Sequence, residues 1–78
     1  MNKFNRFINL ADPHWGILIK GNQSDEPLFV DVLIGDQKET LVFHQNGTIK
    51  VWKSKIGFIY KTISVKKIIR FLKQKKNP

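Results

Sequence analysis

The sequence predicts an α+β domain: a five-stranded antiparallel β-meander able to curl toward a small barrel, a C-terminal amphipathic α-helix, and a short N-terminal helix or arm. Three observations carry that expectation. Between residues 15 and 62, short runs rich in β-branched and aromatic residues alternate with clusters of Gly, Asn, Asp and Ser, as strands alternate with tight turns. Asn46-Gly47 stands between two apolar runs, and Asn-Gly is the strongest short-range hairpin signal because both residues tolerate positive φ. Beyond Ser64 the apolar residues recur every three or four positions instead of every two, the mark of a helix.

In chain order, Phe4, Phe7, Ile8 and Ala11 have the i, i+3, i+4, i+7 spacing of a short amphipathic helix. Asp12-Pro13 ends it, since proline restricts the residue before it. The asparagines in this segment lower helix propensity, so an irregular arm laying Phe4 and Phe7 on the sheet competes with the helix. Residues 15–20 (WGILIK) read as the first strand, followed by a polar loop over 21–27. The second strand, residues 28–34, puts Leu28, Val30, Val32 and Ile34 on one face and Phe29, Asp31 and Leu33 on the other. Gly35-Asp36-Gln37-Lys38 supplies a turn into a third strand over 39–44, and the Asn-Gly turn leads to a fourth over 48–53.

A two-residue loop at Asn46-Gly47 pairs Gln45 with Thr48, His44 with Ile49, Phe43 with Lys50, Val42 with Val51 and Leu41 with Trp52. His44, Ile49, Val42 and Val51 then share one face, and Phe43, Lys50, Leu41 and Trp52 the other. After Ser54-Lys55, residues 57–62 form a fifth strand with Phe58 and Tyr60 on one face and Ile59 and Lys61 on the other. Ser64 is placed to N-cap a helix whose Val65, Ile68, Ile69 and Leu72 form one stripe and whose Lys66, Lys67, Arg70 and Lys73 form the opposite one. Residues 75–78 read as a frayed tail. A sheet apolar on both faces must be covered twice, close on itself or pair with another copy. The C-terminal helix is expected on one face and the N-terminal segment on the other, with a homodimer as the solution if that segment does not reach.

Seventy-eight residues, 41% hydrophobic and 26% charged, make a single small globular domain, 1–78, and not a disordered chain. With no cysteine there is neither a disulfide framework nor a thiolate zinc site. No run approaches the ~20 apolar residues of a membrane-spanning helix and the first residues do not read as a signal peptide, so the expected location is the cytoplasm. The net charge of +8 conceals a sharp division. Residues 1–47 carry four basic and six acidic side chains, a net −2, whereas residues 48–78 carry ten basic and no acidic ones, a net +10. Such polarisation speaks to partners and association, not to fold.

Signals for catalysis are absent. His14 and His44 are the only histidines and lie far apart without a metal-binding motif, so no metal and no cofactor are expected. Ser24, Ser54 and Ser64 occupy turn or cap positions, no GxSxG pattern occurs, and the five glycines form no phosphate loop. Carboxylates at Asp31, Asp36 and Glu39 read as edge or surface charges. The expectation is therefore not an enzyme. A basic amphipathic helix also suits an anionic membrane surface, but here its apolar stripe is needed by the sheet.

The expected function is a small binding module that contacts nucleic acid, DNA or RNA, through Lys50, Trp52, Lys53, Lys55, Tyr60, Lys61, Lys66, Lys67, Arg70 and Lys73. These residues, with Phe58 beside Trp52 and Tyr60 in the same half, combine cations that displace counterions with aromatic rings that stack on bases. Alternation sets Trp52 beside Lys50 on a half-polar face, at the rim of a covered surface. The alternative is a compact protein inhibitor or adaptor of the kind phages and plasmids encode, anti-CRISPR proteins among them, docking on a nucleic-acid-processing complex. Its contacts would be Asp25, Glu26, Asp31, Asp36 and Glu39, imitating phosphates.

Overall fold

The computed structural model describes residues 3–59 and 63–75. It contains α1 (Lys3–Leu10), β1 (Gly16–Lys20), β2 (Leu28–Ile34), β3 (Gln37–Phe43), β4 (Ile49–Lys53), β5 (Gly57–Phe58) and α2 (Val65–Lys73). The strands form one antiparallel sheet in the order β1-β2-β3-β4-β5, an open meander whose first and last strands are its edges. It does not close into a barrel. The α+β meander, its element order and its two helices agree with the expectation from sequence. The outer part of the expected fifth strand, with Tyr60, Lys61 and Thr62, lies outside the described residues.

The pattern of β2 holds as expected, with Leu28, Val30, Val32 and Ile34 buried and Phe29 and Leu33 exposed. Direct pairing carries this division across the sheet. Ile17 and Ile19 face Val32 and Val30, while Leu41 and Phe43 face Val30 and Leu28. Leu18, Lys20, Thr40 and Val42 take the opposite side, beside Asp31 and Phe29.

The hairpin between β3 and β4 departs from the expected register by one residue. Leu41 pairs with Val51, Val42 with Lys50 and Phe43 with Ile49. The loop holds three residues, Gln45, Asn46 and Gly47: the His44 amide donates to the Thr48 carbonyl at 2.9 Å and the Gly47 amide to the His44 carbonyl at 3.1 Å. Gly47 takes φ 90°, and Asn46 Oδ1 accepts the Thr48 amide at 3.0 Å. This is the three-residue alternative for a Gly-containing hairpin, which needs a left-handed residue only at its last position. The physical reason for the shift lies in the strands. In the expected register Leu41 and Phe43 would share a face with Lys50 and Trp52. In the observed one Leu41, Phe43, Ile49 and Val51 are all buried together, each such burial contributing about 1.5–3 kcal/mol.

Both helices pack on that same face, which corrects the expectation that the N-terminal segment covers the other one. Phe4 and Phe7 of α1 meet Phe43 at ring-centroid distances of 5.7 and 5.5 Å. They belong to one buried cluster with Val65, Ile68, Ile69 and Leu72 of α2. Length explains the arrangement. A nine-residue helix such as α2 is about 13 Å long and 10 Å wide, whereas five strands at about 4.8 Å spacing make a sheet roughly 19 Å across. One helix leaves much of the face bare, and α1 fills the gap beside it.

The ends of α2 follow from its sequence. Ser64 Oγ accepts the Lys67 amide at 3.1 Å, the expected N-cap. Past its C-terminus Lys75 donates its amide to the Leu72 carbonyl and sets its ammonium 3.7 Å from Glu39 and 4.9 Å from the Phe71 ring centre, and the rest of the expected frayed tail, residues 76–78, lies outside the described residues. Among the described residues no helix is long and apolar enough to cross a membrane.

Gly47→Ala is expected to lower stability by about 1–2 kcal/mol, the cost of a Cβ at a positive φ, with no added steric cost because the nearest atom to that Cβ, at the end of the Lys3 side chain, is at an ordinary contact distance of 3.6 Å. Leu72→Ala should cost about 2–5 kcal/mol as a core truncation. Urea unfolding followed by circular dichroism measures both.

Candidate functional site

With both helices on one side, the other face of the sheet carries no described helix. Leu18, Phe29, Leu33, Trp52 and Phe58 are exposed there. Trp52 pairs with Phe58 across β4 and β5, their ring centres 5.0 Å apart, and Phe58 reaches Phe29 at 6.4 Å. The three rings are 44%, 37% and 38% exposed for Trp52, Phe58 and Phe29 respectively. Between Phe29 and Lys50 on the ladder stands Val42, which is 2% exposed yet lies outside the main core cluster. The aromatic side chains thus form a small second apolar layer with their outer surfaces turned to solvent.

Cations flank this layer. Lys50 shares the face through its pairing with Val42, Lys38 through Leu33 and Lys20 through Phe29. The one acid among them, Asp31, is 2% exposed. Its carboxylate accepts the Thr40 hydroxyl at 2.9 Å and lies 3.4 Å from the Lys20 ammonium. A charge buried on an otherwise open face is tolerated because both of its oxygens have partners.

The basic face of α2 is on the other side of the molecule. Val65, Ile68, Ile69 and Leu72 are buried against the sheet, and Lys66, Lys67, Arg70 and Lys73 are exposed. None of these four makes an ion pair with a described acid. Lys53 points to the helix side, its ammonium 5.1 Å from the Phe71 ring centre, and Lys55 is exposed in the turn after β4. The residues expected to form one basic, aromatic surface therefore divide into two. Lys50 and Trp52 belong to the open sheet face. Lys66, Lys67, Arg70 and Lys73 belong to the helix face. Tyr60 and Lys61 fall outside the described residues.

The acids of the alternative reading are not gathered into one surface. Asp25 and Glu26 lie in the loop between β1 and β2, where Asp25 Oδ2 accepts the Asn22 amide at 3.0 Å. Glu26 meets His44 Nδ1 at 3.0 Å and also accepts the Gln45 amide. Asp36 is exposed in the turn at the opposite end of β2. Asp31 is on the open face, and Glu39 faces Val32 on the helix side with Lys75 as its partner.

A cavity of about 330 Å³ opens among Lys3, Phe4, Asp25, Leu28, Phe43 and His44. Its charged and imidazole groups are already engaged: the Lys3 ammonium donates to the Ile63 carbonyl at 3.3 Å, and Asp25 and His44 hold the partners given above. Among the described residues no three His, Cys, Asp or Glu side chains are grouped to hold a metal ion. Comparison with protein-family models, with curated proteins and with solved structures finds no match to this chain.

Phe29 is the site residue that sequence reasoning placed on the correct face of its strand but not in the site. The signal was present in LFVDVLI, whose second face holds Phe29 and Leu33. Its proximity to Phe58 was not legible, because the two are separated by twenty-nine positions and two intervening strands.

Asp31→Ala is expected to destabilise the fold by about 1–3 kcal/mol, because the Thr40 hydroxyl loses its partner in a part-buried position. Asp31→Asn keeps an acceptor for Thr40 and should cost less. Thermal unfolding of the two variants side by side reads the difference.

Proposed function

We propose that the protein is a non-enzymatic binding module that contacts nucleic acid through the cations of its C-terminal half. The observation that carries this reading is the unpaired state of those cations: Lys66, Lys67, Arg70 and Lys73 are exposed on one helix face with no described acid in ion-pair distance. Most acids of the N-terminal half are meanwhile committed elsewhere, Asp12 to His14, Glu26 to His44, Asp31 to Lys20 and Glu39 to Lys75. Intramolecular neutralisation is therefore small. The positive field of the helix is free to act on a polyanion, where each phosphate contact releases condensed counterions and gains affinity without reading sequence.

The inhibitor reading draws less support from the same facts. Its five acids are dispersed over a loop, a turn and both sides of the sheet, and four of them already hold internal partners.

Titration of labelled single- and double-stranded oligonucleotides across a range of salt tests the proposal. Four phosphate contacts give a slope of log affinity against log salt of roughly −3 to −4. The triple variant Lys66→Glu, Lys67→Glu, Arg70→Glu should bind weakly and flatten the slope by about 2–3, with folding near wild type because the three side chains are exposed. Wild-type binding that is indifferent to salt, or no binding at all, overturns the proposal.

A further inference from the structure

We infer that the open face of the sheet is a platform for the unpaired bases of a single strand, with Trp52, Phe58 and Phe29 as its stacking rings. The inference rests on the nucleic-acid reading above and names the form of nucleic acid the molecule takes. It stands on a different surface from the helix cations.

Three observations lead to it. The rings form one continuous group, 5.0 Å from Trp52 to Phe58 and 6.4 Å from Phe58 to Phe29, and each keeps more than a third of its surface in water. Rings whose only task was to cover Val42 could be aliphatic. The pairing also sets Lys20, Lys38 and Lys50 on this face against the single acid Asp31, whose carboxylate is held by Lys20 and Thr40. Rings flanked by cations complement a chain that alternates flat bases with phosphates. A second copy of this chain is the obvious rival for an exposed apolar face, but face-to-face pairing would bring like charges together and desolvate them, which disfavours it.

The geometry also selects single strands over duplex. In a duplex the base faces are stacked on one another, and only groove edges and phosphates are accessible to protein. The face of a five-stranded sheet is too broad to enter a groove as a helix or a two-stranded ribbon does. Unpaired bases present the π-faces that exposed rings can accept, and they do so whatever the sequence. Duplex engages the helix cations alone, whereas a single strand gains the rings as well.

Tryptophan fluorescence makes the site directly observable, because Trp15 is buried and Trp52 is exposed. Fluorescein-labelled oligo-dT and a labelled duplex of equal length are titrated with the wild type, with Trp52→Leu/Phe58→Leu and with the helix variant Lys66→Glu/Lys67→Glu/Arg70→Glu, affinity being read from the anisotropy of the label and quenching of Trp52 in the proteins that keep it. Leucine keeps an apolar cover over Val42, and circular dichroism with sedimentation checks that the fold and oligomeric state are retained. Where the double variant fails to fold, Trp52→Leu alone serves in its place. The expected result is quenching of Trp52 by oligo-dT and a loss of affinity of about ten-fold per ring replaced, with duplex affinity unchanged. Duplex bound as tightly as oligo-dT, with no quenching and no loss in the ring variant, overturns the platform while leaving the nucleic-acid reading intact. Binding of neither form overturns both. A wild-type dimer that the ring substitutions dissociate, with oligo-dT affinity unaltered, assigns the face to a second copy and overturns the inference.

Discussion

The contact on which the structure depends is the closure of Phe7, Ile68 and Leu72 onto Val30, Leu41, Ile49 and Val51, all of them fully buried. Seven side chains from two helices and three strands meet there, and without cysteine the fold has no covalent means of holding them. Each element is short: the helices have eight and nine residues and no strand exceeds seven. Helices of this length are marginal alone, so it is burial of their apolar stripes that keeps them folded. The sheet in turn needs both helices to exclude water from one of its faces.

That allocation decides what is left over. Apolar cover is spent on one side of the sheet, and the other keeps Leu18, Phe29, Leu33, Trp52 and Phe58 in contact with solvent. The molecule thus has two unlike exteriors. One is a helix surface of exposed cations. The other is a pleated surface with rings in mutual contact, a buried carboxylate and cations at its margins. Long-range attraction is the property of the first, and contact over a defined area is the property of the second.

Much of this fold is legible in the residues. The alternation in residues 28–34, the serine before residue 65 and the three-four spacing after it each fix a local structure by a strong and local rule, and each is observed. The side of the sheet taken by α1 was not legible, since an amphipathic helix states that it has a partner face but not which one. Nor was the register at Gly47, where two loop lengths fit the same dipeptide and only the packing of Leu41 and Phe43 against Ile49 and Val51 separates them. For the candidate site, composition pointed to the cationic, aromatic half of the chain. Its division between two sides of the molecule depends on how β4 and α2 face one another across the sheet, which no local rule encodes.

The three-residue turn at Gln45, Asn46 and Gly47 has a consequence for the chemistry of the surface. Along β4 the residues alternate apolar and cationic or aromatic, Ile49, Lys50, Val51, Trp52, Lys53, so the count of residues in the turn acts as a parity bit. With three, Lys50 and Trp52 are delivered to water and Ile49 and Val51 to the interior. With two or four, the same strand would present a greasy exterior and bring an ammonium group and an indole into the core. The identity of the outward surface is thus stored in a length, and changes of sequence within the turn leave it intact where a single insertion or deletion would invert it.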